Sequence, residues 1–106
     1  MSTTATQLHR LGDEPFGFQL RRARISSGVE LRRAAEVISA LMLTTHTSLN
    51  RLEKLTTAPT DRKQRALAYL AMLCYGYDPA DLDLTDADLP QGFVHIDDLE
   101  GLLRSR

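Results

Sequence analysis

Three short amphipathic stretches follow one another within residues 16–53, and that succession constrains the fold more than any other feature. The first, Phe16-Gly17-Phe18-Gln19-Leu20-Arg21-Arg22-Ala23-Arg24, is basic. Phe16, Leu20, Ala23 and Ile25 recur at helical spacing, with Arg21, Arg22 and Arg24 off that stripe. Pro15 suits a first helical turn, Asp13 or Glu14 a cap, and Gly28 a left-handed stop. The second stretch opens near Glu30 and carries Leu31, Ala34, Ala35, Ile38 and Leu41 or Met42 at three- and four-residue steps. No Gly or Pro marks its end. The third starts from an N-cap at Thr44 or Thr45 and turns Leu49, Leu52 and Leu55 inward.

The rest of the chain continues in helices. Thr56 to Thr60 reads as a loop, after which Thr60 or Asp61 caps a fourth helix running through Cys74. Its near-continuous apolar character predicts a central, largely buried helix. Tyr75-Gly76-Tyr77 breaks it, and Asp78-Pro79 opens one short turn to Leu82. Residues 83–94, with Asp83, Asp86, Asp88, Pro90 and Gly92, read as an extended connection. Ile96, Leu99, Leu102 and Leu103 share one face of a last short helix, which Gly101 weakens by about 1 kcal/mol relative to Ala. The expectation is an all-α compact bundle of five or six helices. It has a flexible arm at 1–14, a core domain at 15–82 and an acidic extension with a short helix at 83–106.

At 106 residues the chain is most simply one domain. Trp is absent and Phe and Tyr number three each, so Leu, Ile, Val, Ala and Met must supply the core. The net charge of −1 looks wrong for a nucleic-acid binder, but its distribution is uneven. Residues 1–65 hold eleven Lys/Arg against six Asp/Glu, and residues 66–106 hold two against eight. One basic face and one acidic tail follow, and binding responds to the local field.

Several function classes lack support. Cys74 is the only cysteine and lies in an apolar helical stretch, so a disulfide or cysteine zinc cluster is not expected. His9, His46 and His95 are widely spaced, and no metal site is expected. No nucleophile–base set or phosphate loop is present, so the chain does not read as an enzyme, and no cofactor or small-molecule ligand is implied. No run reaches the roughly 18 apolar residues of a membrane span. Residues 1–12 lack a signal-peptide apolar region. A bacterial cytoplasmic or nucleoid location is the expectation.

The order of these pieces is familiar. Leu20-Arg21-Arg22-Ala23-Arg24, Gly28-Val29, Ala34-Ala35-Glu36, Leu49-Asn50-Arg51-Leu52-Glu53 and Tyr77-Asp78-Pro79-Ala80-Asp81-Leu82 together resemble the lambda-repressor-like (Cro/C1, Xre-type) helix-turn-helix family. The resemblance covers residues 16–82, about two thirds of the chain. The small size and acidic tail are similar to those of regulators carried by actinobacterial phages or prophages. One departure stands out. Where the family has a short Gly-Val-Ser-type turn, this chain has Ser39-Ala40-Leu41-Met42-Leu43-Thr44-Thr45. That is longer by about four residues, roughly one helical turn. The expectation is a longer helix two, which keeps its apolar face but moves the turn and so sets the recognition helix at an altered angle.

The resemblance implies a sequence-specific regulator that binds duplex DNA, with helix three in the major groove. Its N-terminal residues Thr45, His46, Thr47 and Ser48 would meet base edges. Asn50 can bond adenine in pairs, and Arg51 guanine or a phosphate. Arg21, Arg22, Arg24, Arg32, Arg33, Lys54, Arg62 and Lys63 are backbone-contact candidates. The family often ties helix one to helix three, which would instead pair Arg24 with Glu53. Ile96, Leu99, Leu102 and Leu103 are expected to pack back on the bundle or to join a homodimer, the form suited to a two-fold operator. The rival reading is a protein-interaction module of antitoxin or anti-repressor type that keeps the scaffold without reading DNA.

Overall fold

The computed structural model of the chain describes residues 14–89. These form four α-helices: α1 (Phe16–Ser27), α2 (Leu31–Ser39), α3 (His46–Leu52) and α4 (Arg62–Cys74). Two 3-10 turns, Pro79–Leu82 and Asp86–Asp88, follow. The described residues are all-helical and contain no strand. Among the described residues the α-helices number four, fewer than the five or six expected of the chain. The turn at Asp78-Pro79 is 3-10, and the last amphipathic stretch, with Ile96, Leu99, Leu102 and Leu103, lies outside the described residues.

The helix α4 organises the core. Asp61 caps it, its carboxylate accepting from the Gln64 N–H at 3.0 Å. Every residue from Ala66 to Cys74 is buried, so apolar side chains meet partners on all sides and no polar stripe is needed. The other three helices and both 3-10 turns all touch it. Leu20 from α1, Ala34 and Ile38 from α2, and Leu49 and Leu52 from α3 complete the cluster around it. The small pair Ala34-Ala35 lets α2 approach closely, and both residues are buried.

Local chemistry sets the helix ends, in places against expectation. Pro15 is the residue before α1 and not its first turn, with an extended backbone at φ −56°, ψ 146°. No side chain caps the helix. The first N–H groups, of Phe16 and Gly17, instead donate to the carbonyls of Thr56 (3.1 Å) and Leu55 (2.8 Å), supplied by the segment after α3. At its far end Gly28 adopts φ +77°, and Gly28 and Val29 donate back to Ile25 and Arg24. Val29 is thereby drawn into the core. Ile25 is not part of the buried stripe and is 55% exposed.

The segment after Leu82 is less extended than expected. Leu84 is buried and Leu89 packs against the core, so packing continues past residue 82. Thr85 and Asp88 cap each other's backbone around the second 3-10 turn. Arg65 fastens this segment: its Nε donates to Asp88 Oδ1 at 2.7 Å, and its other nitrogens reach the carbonyls of Pro59 (3.1 Å) and Asp83 (3.2 Å).

Candidate nucleic-acid interface

The helix α3 is only seven residues long, far below the length at which an isolated helix is stable. It is held by its apolar side, where Leu49 and Leu52 are 1% and 0% exposed. Thr45, not Thr44, is its N-cap, and the hydroxyl accepts from the Ser48 N–H at 3.2 Å. The connection before it is ordered by one side chain. Ser39 Oγ donates to the Thr44 carbonyl at 2.9 Å and accepts from the Thr44 N–H at 3.1 Å. After α2 the chain makes one last turn through Met42, whose N–H bonds Ile38, and then extends through residues 43–45. The extra residues thus lengthen the connection more than they lengthen the helix.

With Leu49 and Leu52 inward, the outer side of α3 is polar. Thr45, Thr47 and Arg51 are exposed, while His46, Ser48 and Asn50 are half-buried. Thr47 and Arg51 are four apart and Asn50 lies three from Thr47, so these three share one face of the helix. Lys54, exposed just past the helix end, extends that face by a further turn.

The basic residues divide by what they already hold. Arg21, Arg32, Lys54, Arg62 and Lys63 are exposed, and like Arg51 they make no ion pair among the described residues. Arg32 lies in the first turn of α2 and Arg62 and Lys63 in that of α4, where helix dipoles add to the positive field. No side chain caps α2. Arg22 pairs with Glu14 at 2.8 Å and stacks 5.8 Å from the Phe18 ring centre, while Arg33 pairs with Glu36 at 3.1 Å. Both pairs are at the surface, where a phosphate can compete with the carboxylate.

Arg24 is different. It makes a bidentate pair with Glu53, at 2.6 and 3.2 Å, and also donates to the Val29 carbonyl. The two side chains are 15% and 4% exposed. The Glu53 carboxylate raises the Arg24 pKa above the ordinary guanidinium value. Burial, with Glu53 nearby, raises that of the Tyr75 hydroxyl. Arg24 therefore leaves the set of backbone-contact candidates: it fastens α1 to the end of α3.

Two positioning residues escaped the sequence reading. Gly17 sits where a Cβ would overlap the carbonyl of Glu53, so only glycine lets α1 approach the end of α3 this closely. A glycine in a helix's first turn, where Ala is otherwise favoured, is the available signal. Ser39, which locks the connection before α3, carries no pattern of its own. Among the described residues no group of three or more His, Cys, Asp or Glu is arranged to hold a metal ion. Among them, too, no helix is long and apolar enough to cross a membrane. No protein-family model, curated protein or solved structure matches the chain.

Proposed function

We propose that this chain is a sequence-specific double-stranded DNA-binding regulator of transcription on a lambda-repressor-like helix-turn-helix scaffold. In this reading α2 and α3 form the helix-turn-helix, and α3 enters the major groove. Thr45, Thr47, Asn50 and Arg51 meet base edges, with His46 and Ser48 at the flank. Arg21, Arg32, Lys54, Arg62 and Lys63 take phosphates and set register, and Arg22 and Arg33 join them by exchanging a surface carboxylate for a phosphate. A homodimer covering a promoter would repress by occlusion. The chain acts without a cofactor and is not an enzyme.

The observation that carries this reading is the division of the arginines. Arg24 and Arg65 are consumed by internal ion pairs. By contrast, Arg51 and the cations of the neighbouring helix starts are exposed and uncommitted. A helix as short as α3, held rigidly by its buried leucines, its Thr45 cap and the Arg24–Glu53 pair, is a fixed presenter of side chains. The exposed apolar residues Phe18 (45%), Ile25 (55%) and Leu43 (81%) favour a second reading, a protein-interaction module. Selection of bound duplexes from a random pool separates the two. Enrichment of a defined motif is the expected result, and an unenriched pool would remove the DNA reading.

A further inference from the structure

The connection between α2 and α3 carries residues that a short helix-turn-helix turn does without. Most of them have a task in the fold. Leu41 and Met42 are half-buried and pack against the core. Their N–H groups both donate to the Ile38 carbonyl at 2.8 Å. Thr44 is held by Ser39 Oγ through its N–H and its carbonyl. Leu43 stands between these anchored neighbours and is 81% exposed, more than any other large apolar side chain among the described residues.

Leu43 is thus outside the core without being loose. Its backbone is tied on both sides, so a contact made there has less conformational entropy to overcome. Thr45, the N-cap of α3, lies two residues on, within about 7 Å even along a fully extended chain. The helix end beside Leu43 is the one from which a recognition helix meets base edges.

A protein surface is the poorer match for this side chain. With Met42 packed inward and Thr44 half-buried, the connection offers one apolar side chain and not an apolar face. A stable protein interface buries about 800 Å² on each partner, far more than one leucine supplies. A lone leucine fits a lone apolar group set among polar ones. The major groove presents such a group, the 5-methyl of thymine.

We propose, resting on the DNA reading of α3, that Leu43 is a specificity-determining residue that packs on the 5-methyl group of a thymine at the edge of the site. The contact comes from outside the reading helix. Leu43 has no charge and no hydrogen-bonding group in its side chain, so it selects thymine by the methyl alone.

Removal of one methyl group tests this. Each thymine of a duplex selected by the protein is replaced in turn by deoxyuridine, which keeps every hydrogen-bonding group and loses only the 5-methyl. Fluorescence anisotropy then gives the affinities of the parent chain and of L43A over a salt series. Leu43 is exposed, so L43A should melt like the parent. At one thymine on the edge of the motif, the parent should lose about fourfold in affinity, the worth of one buried methyl. L43A should bind the thymine and uracil duplexes alike. Its salt dependence should match the parent's, because an apolar contact releases no counterions. Identical uracil profiles for the parent and L43A would overturn the proposal and leave Leu43 to a protein partner, while a loss of binding in N50A/R51A would still keep α3 as the reader. An altered salt dependence in L43A would also overturn it, tracing the effect to displaced cations. A pool from which no duplex is selected would remove it together with the DNA reading.

Discussion

Arg24 and Glu53 lie 29 residues apart and meet in a bidentate ion pair, Nε to Oε2 at 2.6 Å and Nη2 to Oε1 at 3.2 Å. The pair joins the last turns of α1 to the residue that closes α3. Together with the Phe16 and Gly17 N–H bonds to Thr56 and Leu55, it fixes α3 against α1 at two points.

Breaking this pair on one side leaves a charge in a site with little access to water. E53A should cost about 3–5 kcal/mol of stability, read by urea denaturation. R24M/E53M, with both charges replaced by apolar side chains, should recover most of that loss. A double-mutant cycle on R24A and E53A should show coupling above about 1 kcal/mol. Additive losses would mean that the two residues act independently.

Gly17 and Gly28 are both needed, for different reasons. A Cβ at Gly17 meets the backbone of Glu53 and Leu52. G17A should therefore destabilise by about 1–3 kcal/mol through overpacking, despite the gain of up to about 1 kcal/mol in helix propensity. At Gly28 a Cβ meets nothing, but φ is +77°. G28A should cost about 1–2 kcal/mol from the left-handed conformation alone. G28N should cost less than G28A, whereas G17N should cost more than G17A. Thermal or urea melts of the four variants check the pattern.

The ion pair of Arg65 with Asp88 makes part of the stability depend on pH. Its hydrogen bond holds the Asp88 carboxyl below the ordinary carboxylate range. The folded chain thus takes up this proton less readily than the unfolded one. The contribution is whole above the unfolded value of about 3.9 and is lost as pH falls through the lower folded value. D88N should lower stability at neutral pH and flatten the acid limb of the stability–pH curve. An acid limb identical to that of the parent would exclude Asp88 as its source.

The helices were legible in the sequence because their signals are local. Leu20, Ala34, Ile38, Leu49, Leu52 and the run Ala66 to Cys74 announce their burial by spacing, and all are buried. Asp61 and Gly28 announce helix ends by residue type, and both act there. What the sequence concealed depends on contacts between distant segments. Ile25 fits the stripe of α1 by spacing, yet it is 55% exposed and stays out of the core cluster of the described residues. Arg65 carries no local signal of its role, which depends on Asp83, Asp88 and Pro59 being brought to it by the fold. For the candidate interface, the polar face of α3 could be read from its sequence. Which arginines were free to use could not, since that depends on whether a carboxylate such as Glu53 arrives from another helix.

The central claim is that α3 reads base pairs, and fluorescence anisotropy on a duplex selected by the protein tests it most directly. The parent chain and N50A/R51A should be titrated over a salt series against that duplex and a scrambled one. The account predicts tight binding to the selected duplex that falls steeply as salt rises, as expected for several phosphate contacts. It predicts a loss of tenfold or more in N50A/R51A, given about 1–3 kcal/mol for each well-made base contact, with binding to the scrambled duplex much less affected. Equal affinity of parent and variant for both duplexes would contradict it.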